Sequence, residues 1–218
     1  MGIYNERDRS RVMKAVESIL DQTYDKFEFI ICDDGSEQEF YDWLKQYCKK
    51  DTRIRLLRKT QNGGLAAALN ACLAEAKGDY VARMDADDLS KPDRFERQLD
   101  FLTAHPEYAL TGCGAELIDG EGSWGKRIPA ETPQKSDFLW NSPFIHRTVI
   151  IRKNVLEELG GYVTAAYAEL TEDYDLFMRM YAAGYQGYNL QECLFQYRED
   201  RKAYAKRKYR YRINEARV

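Results

Sequence analysis

The 218-residue sequence predicts an α/β fold, with a mostly parallel central sheet flanked by helices and a small antiparallel ribbon in its second half. Three observations predict it. In the first half, short apolar runs alternate with segments of helical periodicity, and two of those runs end in clusters of aspartate. From Tyr108 onward the texture changes to β-rich segments broken by glycine turns.

Taken in order, "MGIYNE" reads as the last residues of a first strand and the loop after it. A buried strand needs about five residues, so the expectation is either a start further upstream or a stunted strand. Val12, Ala15, Val16, Ile19 and Leu20 recur at helical spacing, and "FEFIICDD" follows as a buried strand ending in acid. "EFYDWLKQYCKK" is helical and "IRLLRK" a strand. "GGLAAALNACLAEAKG" is an alanine-rich helix closed by Gly78, and "DYVARM" is the next strand. A helix runs from Pro92 to about Ala104, and "YALTGCGAELIDGEGSWGKRI" is an antiparallel ribbon. "HRTVIIRK" is a strand, "NVLEELGGY" a short helix with a glycine stop, "TEDYDLFMRMYAAGY" a helix and "YNLQECLFQYRE" a strand.

Composition narrows the function classes. The chain is 44% hydrophobic and 32% charged, ordinary for one globular domain. Its five cysteines are scattered and never spaced as CxxC, and His105 and His146 are the only histidines. That argues against a disulfide framework or a zinc site and for a reducing, cytoplasmic setting. No run approaches the roughly 20 apolar residues of a membrane span, and no secretion signal is present. The net charge of -3 hides an asymmetry: Arg198 to Val218 holds nine basic against three acidic residues. With its interleaved tyrosines this tail suits peripheral contact with an anionic membrane, or is a solvated terminal helix; nucleic-acid binding fits an otherwise acidic protein poorly.

The chemistry is expected where strands end, since ligands of parallel sheets gather at their carboxyl ends. In "YVARMDADDLSKPDR", Asp85, Asp87 and Asp88 crowd three like charges together, which calls for a cation among them. Asp85 and Asp87 alternate around the small Ala86 and offer hard oxygen ligands for Mg²⁺ or Mn²⁺ bound with substrate phosphates, while Asp88 caps or braces the loop. Asp33-Asp34-Gly35-Ser36 ends an earlier strand. There a carboxylate either accepts from a pyrimidine N–H or a ribose hydroxyl, or Asp34 or Ser36 caps a helix. Glu172 and Asp173 open a helix, where they either sit in its dipole or supply a general base. His146 faces an acceptor or a donor phosphate, or is structural. Trp140 and the many tyrosines are sugar-stacking or core residues.

These blocks together resemble the nucleotide-sugar glycosyltransferases of family 2, a single Rossmann-like domain of the A-type glycosyltransferase fold. The resemblance rests on "YNE", "AVESILDQTYDKFEFIICDDGS", "NGGLAAALN", "AKGDYVARMDADDLSKPDRFERQ", "HRTVIIRK", "LGGY" and "EDYDLFMRM", in family order. It covers residues 1–198 as the catalytic domain and leaves 199–218 as a basic aromatic tail. It implies Asp34, with Asp33 beside it, as the uracil-binding acid, Tyr4 as the aromatic stacked on the base, and Asp87 as the metal ligand. Asp85 is then nearer the ribose or donor sugar, Asp173 is the catalytic base and Glu172 its acidic neighbour. The implied activity is inverting, metal-dependent transfer from a nucleotide sugar, a UDP-sugar, to a glycan or lipid-linked acceptor in bacterial surface-polysaccharide assembly. The alternatives are a catalytically impaired binding module of the same fold, and a sugar nucleotidyltransferase. The latter wants a Gly-rich basic loop after the first strand, where "MGIYNERDRSR" has none.

Overall fold

In a computed structural model the protein is described over residues 1–139, 141–165, 168 and 171–199. Trp140 and nearly all of the basic tail lie outside these residues, so the expectations placed on them have no structural counterpart. Nine strands and six helices occur among the described residues. β1 (Gly2–Ile3), β2 (Phe29–Asp33) and β3 (Ile54–Arg58) form a parallel sheet in that order, joined by α1 (Arg9–Leu20) and α2 (Gln38–Cys48). α3 (Gly64–Glu75) leads to β4 (Tyr80–Ala82), which begins a second, mixed sheet. That sheet also holds β5 (Leu89–Ser90), β6 (Tyr108–Asp119), β7 (Gly122–Arg127), β8 (Ile150–Arg152) and β9 (Gln186–Arg198), with α4 (Arg94–Ala104), α5 (Lys153–Glu158) and α6 (Glu172–Ala182) alongside. Its order is β4-β8-β6-β9-β5, with β7 paired to β6. Only β6 and β9 run parallel.

The elements follow from local chemistry. Asp8 accepts from the backbone N–H groups of Ser10 and Arg11 and starts α1, which buries Val12, Ala15, Val16 and Ile19. β2 is buried at every position because helices cover both faces. A first core gathers α1, α2 and β2, with Phe95 and Leu102 of α4. A second packs Leu176, Phe177 and Met180 of α6 against Ile151, Val155 and Leu110.

The first strand is stunted, one of the two alternatives expected of it, and three other features differ from the sequence expectations. β1 has two residues, yet it is paired: Met1 N donates to Ile30 O at 2.8 Å and Asp34 N to Ile3 O at 2.9 Å. So short a strand does not bridge β2 to β4, and a cavity of about 770 Å³ lined by Phe29, Ile30, Cys72, Val81 and Phe95 lies between them. β4 pairs antiparallel with β8 and does not extend the parallel sheet. α3 stops at Glu75 with Ala76 extended, so Gly78 closes nothing. Finally, "HRTVIIRK" begins as a 3-10 turn, His146–Thr148, held where Thr148 Oγ1 donates to Ile145 O at 2.8 Å; the strand starts only at Ile150.

Candidate active site

The loop between β4 and β5 carries the three aspartates, and each plays a different part. Asp88 is fully buried. Its Oδ1 accepts from Arg198 N at 2.7 Å and its Oδ2 from Arg147 Nη1 at 3.0 Å, which ties the loop to β9. Burial pushes its carboxyl up to about 7 against the pull of Arg147. Asp85 is flanked by Arg83 Nη2 and Arg147 Nε, each at 2.5 Å. Burial would raise its carboxyl, but the two guanidinium groups outweigh that and hold it at about 2. Asp87 is the most exposed of the three, with Arg147 Nη1 3.7 Å from its Oδ1; burial raises its carboxyl, and Arg147 opposes.

One oxygen from each aspartate lies within 4.8 Å of the others. Such a set of hard oxygens, with Asp87 open to solvent, fits a small divalent cation and a phosphate-bearing substrate. Asp85 and Asp87 are the residues that would hold it.

The second acidic cluster ends β2. Asp33 is buried, accepts weakly from Ser36 N at 3.4 Å, and has Arg58 Nε 3.5 Å from its other oxygen. Asp34 accepts from Gly63 N, from Gly64 N at 2.8 Å and from Lys59 Nζ at 2.7 Å. Neither Asp34 nor Ser36 caps the next helix in sequence, since α2 begins after Glu37 without a side-chain cap. Asp34 instead caps α3, supplying from β2 the acceptor that Gly63 lacks. Ser36 Oγ accepts from Asn5 N, and Asn5 Oδ1 from Glu37 N, so the "YNE" turn is stitched to the β2 end. Tyr4, which precedes Asn5, is 51% exposed and presents its ring to solvent.

Glu172 and Asp173 stand half-buried in the first turn of α6. Burial raises both carboxyls; for Asp173 the backbone N–H groups of Tyr174 and of Asp173 itself oppose it. Both acids feel the charges of Arg83, which lowers their carboxyls, and of Asp85, which raises them. Asp175 is separate, paired with Arg179 at 2.7 Å. His146 places Nε2 2.9 Å from Tyr162 Oη, with its ring against Phe177. Burial, helped by Arg83 and Arg147, drives its imidazole well below the usual range, so it is neutral and links the 3-10 turn to the "LGGY" segment. Asn70 pins that segment to α3, its side chain bonded to both the N–H and the C=O of Tyr162.

Sequence reasoning missed Arg83, Arg147, Tyr162 and Tyr197. Arg147 spans all three aspartates and stacks on Tyr197, 4.4 Å from the ring centroid. Arg83 stood inside the acidic stretch, and a demand for internal counter-ions was the signal that pointed to it. Arg147 had no local signal.

Residues 1–160 match the family described as "Glycosyl transferase family 2". The chain is 41% identical over 218 residues to the putative glycosyltransferase EpsE of Bacillus subtilis, covering 99% of this chain and 77% of that protein. It is 34% identical over 197 residues to the putative teichuronic acid biosynthesis glycosyltransferase TuaG of the same organism, covering 89% and 75%. Over 200 residues it is 30% identical to the amylovoran biosynthesis glycosyltransferase AmsE of Erwinia amylovora, covering 91% and 74%. Two solved structures share the A-type glycosyltransferase fold. The mannosyltransferase PcManGT of Pyrobaculum calidifontis, in complex with GDP-Man and Mn²⁺, superposes with a TM-score of 0.72 at 21% identity, over 99% of this chain and 59% of that one. TarS 1-349 of S. aureus, in complex with UDP, superposes with a TM-score of 0.73 at 17% identity, over 99% and 63%. The chain thus spans about three fifths of the length of these two structures.

Proposed function

Because the chain belongs to glycosyl transferase family 2, we propose that it transfers a sugar from a nucleotide diphosphate sugar, a UDP-sugar, to a hydroxyl of a glycan or lipid-linked acceptor, with inversion, in cell-surface polysaccharide synthesis. The observation that carries the proposal is the Asp85-Asp87-Asp88 cluster after β4, with Asp173 near enough for the charge of Asp85 to act on its carboxyl. The names of EpsE, TuaG and AmsE support the class of product, and the ligands of the two solved structures support the class of donor.

Tyr4 and Asp34 flank the place of the base: the ring is free to stack, and the carboxylate, already receiving three donors, lies at the start of α3. Asp85 and Asp87 would hold Mn²⁺ or Mg²⁺, which when bound offsets charge developing on the departing diphosphate. Asp173 takes the proton of the acceptor hydroxyl as that oxygen bonds to the anomeric carbon; the bond from that carbon to the phosphate oxygen breaks, and the nucleoside diphosphate leaves with the electron pair. Burial raises its pKa, which makes Asp173, when ionised, a stronger base than a free carboxylate. Glu172, the neighbour of Asp173, is assigned an acceptor or donor contact, and His146 acts through Tyr162 as a brace. The basic tail is assigned to the inner membrane surface by its charge alone.

Turnover of UDP-sugars in the presence of Mn²⁺ tests the reading. Wild type is expected to release UDP, and Asp173→Asn to lose release by about 10²-fold or more while still binding UDP. UDP binding with no turnover of any donor by wild type would identify a binding module instead.

A further inference from the structure

The three aspartates do not stand empty. Asp85 uses both oxygens on guanidinium groups: Oδ1 on Arg83 and Oδ2 on Arg147, each at 2.5 Å. Asp88 also uses both, Oδ1 on Arg198 N and Oδ2 on Arg147. Only Asp87 has its carboxylate beyond hydrogen-bond range of Arg147, at 3.7 Å.

A cation approaching the cluster therefore finds one acceptor free and the others engaged. The two guanidinium groups already offset most of the charge of the cluster's ionised carboxylates, and a divalent ion added beside both would crowd three cationic groups around Asp85 at close range. One cation has to yield.

The two arginines differ in their freedom to do so. Arg83 is 4% exposed, donates to Met84 O and is ion-paired with Asp85, so it is walled in. Arg147 is 27% exposed and stacks on the face of Tyr197, so its guanidinium has a way to solvent beside its aspartate partners, while the chain next to it is fixed by Thr148, which is buried and tied to Ile145 O and Cys113 N. Rotation about its side-chain bonds is enough to free the guanidinium.

We propose that Arg147 is the resident counter-ion of the aspartate cluster and competes with the divalent cation for Asp85. The inference rests on reading this cluster as the metal site. Arg147 stabilises the loop before metal and donor arrive and weakens binding of the metal alone. Once displaced, its planar guanidinium is presented to the anionic donor that enters with the metal.

The test is Mn²⁺ binding to the full chain without nucleotide, followed by electron paramagnetic resonance of free Mn²⁺, together with the melting temperature of the metal-free protein. Arg147→Gln is expected to bind Mn²⁺ about tenfold more tightly, to melt lower without metal, and to gain more stability than wild type at saturating Mn²⁺. Arg147→Lys, which keeps the charge but not the three-way span, is expected to show a smaller gain in the same direction and serves if Arg147→Gln does not fold. Arg97→Gln, which breaks an exposed pair with Glu192, controls for the loss of one positive charge and is expected to leave Mn²⁺ affinity unchanged.

A purely structural Arg147 would lower the metal-free melting temperature without tightening Mn²⁺. Unchanged or weaker affinity in Arg147→Gln, with wild type binding normally, overturns the inference. No Mn²⁺ binding by either protein, with UDP present as well, overturns the metal-site reading and the inference with it.

Discussion

Replacing Asp34 with alanine separates the architectural share of this carboxylate from its proposed nucleotide contact. The side chain is buried and takes hydrogen bonds from Gly63 N, Gly64 N and Lys59 Nζ, all between 2.7 and 3.1 Å. A hydrogen bond to a charged group contributes about 1.5–3 kcal/mol when its loss leaves the partner buried. Here Gly63 and Gly64 are exposed and Lys59 partly so, and water replaces much of what is lost. The sum is then about 2–4 kcal/mol, which for a domain of this size lowers the melting temperature by roughly 5–15 °C. Asp34→Asn keeps one acceptor oxygen and should lose about half as much. Thermal unfolding followed by circular dichroism measures both, with amide exchange at Gly63 and Gly64 as the local readout. An Asp34→Ala protein melting within about 2 °C of wild type, with exchange at those amides unchanged, would refute the assignment of Asp34 as the cap of α3.

Three further outcomes are expected. Gly35 has φ +79°, and a Cβ there would lie 2.6 Å from the backbone of Gln61, so Gly35→Ala should cost about 2–4 kcal/mol by urea unfolding and displace Asp34. Arg94 is fully buried, burial pushes its pKa down to about 10, and its three hydrogen bonds go to the neutral oxygens of Ser90, Thr148 and Arg83. Arg94→Met fills the space without a buried charge and should cost about 1–2 kcal/mol, against about 3–5 for the cavity of Arg94→Ala; a larger loss for methionine would contradict this. Asp173 acts only when ionised, and burial raises its pKa, so the acid limb of kcat/KM should fall off at higher pH than for an ordinary aspartate, and Asp173→Glu should retain a shifted limb.

Much of the fold could be read from sequence because the signals were local. The apolar spacing of Val12, Val16 and Ile19 is set by the helical repeat, and the unbroken run Phe29–Cys32 by burial on both faces. The strand Tyr80–Ala82 was equally visible, but its partner was not: whether it joins β1 or β8 depends on which edge comes within hydrogen-bonding reach. Gly78 shows the limit of punctuation by residue type, since α3 ends where its packing ends.

At the site, the sequence by itself determined the acids. Charged residues placed at the ends of buried strands are costly enough to call for a purpose, and Asp33, Asp34, Asp85, Asp87 and Asp88 stand out on that ground, while Asp173 was picked out at the start of a helix. Tertiary structure alone decided what answers them. Arg147 reaches Asp88 across 59 positions, Gly64 reaches Asp34 across 30, and Tyr162 meets His146 only because Asn70 holds its segment against α3. Periodicity and composition act over a few residues, whereas a counter-ion, a cap or a brace is chosen by which elements pack together, and that choice is made by the whole core at once.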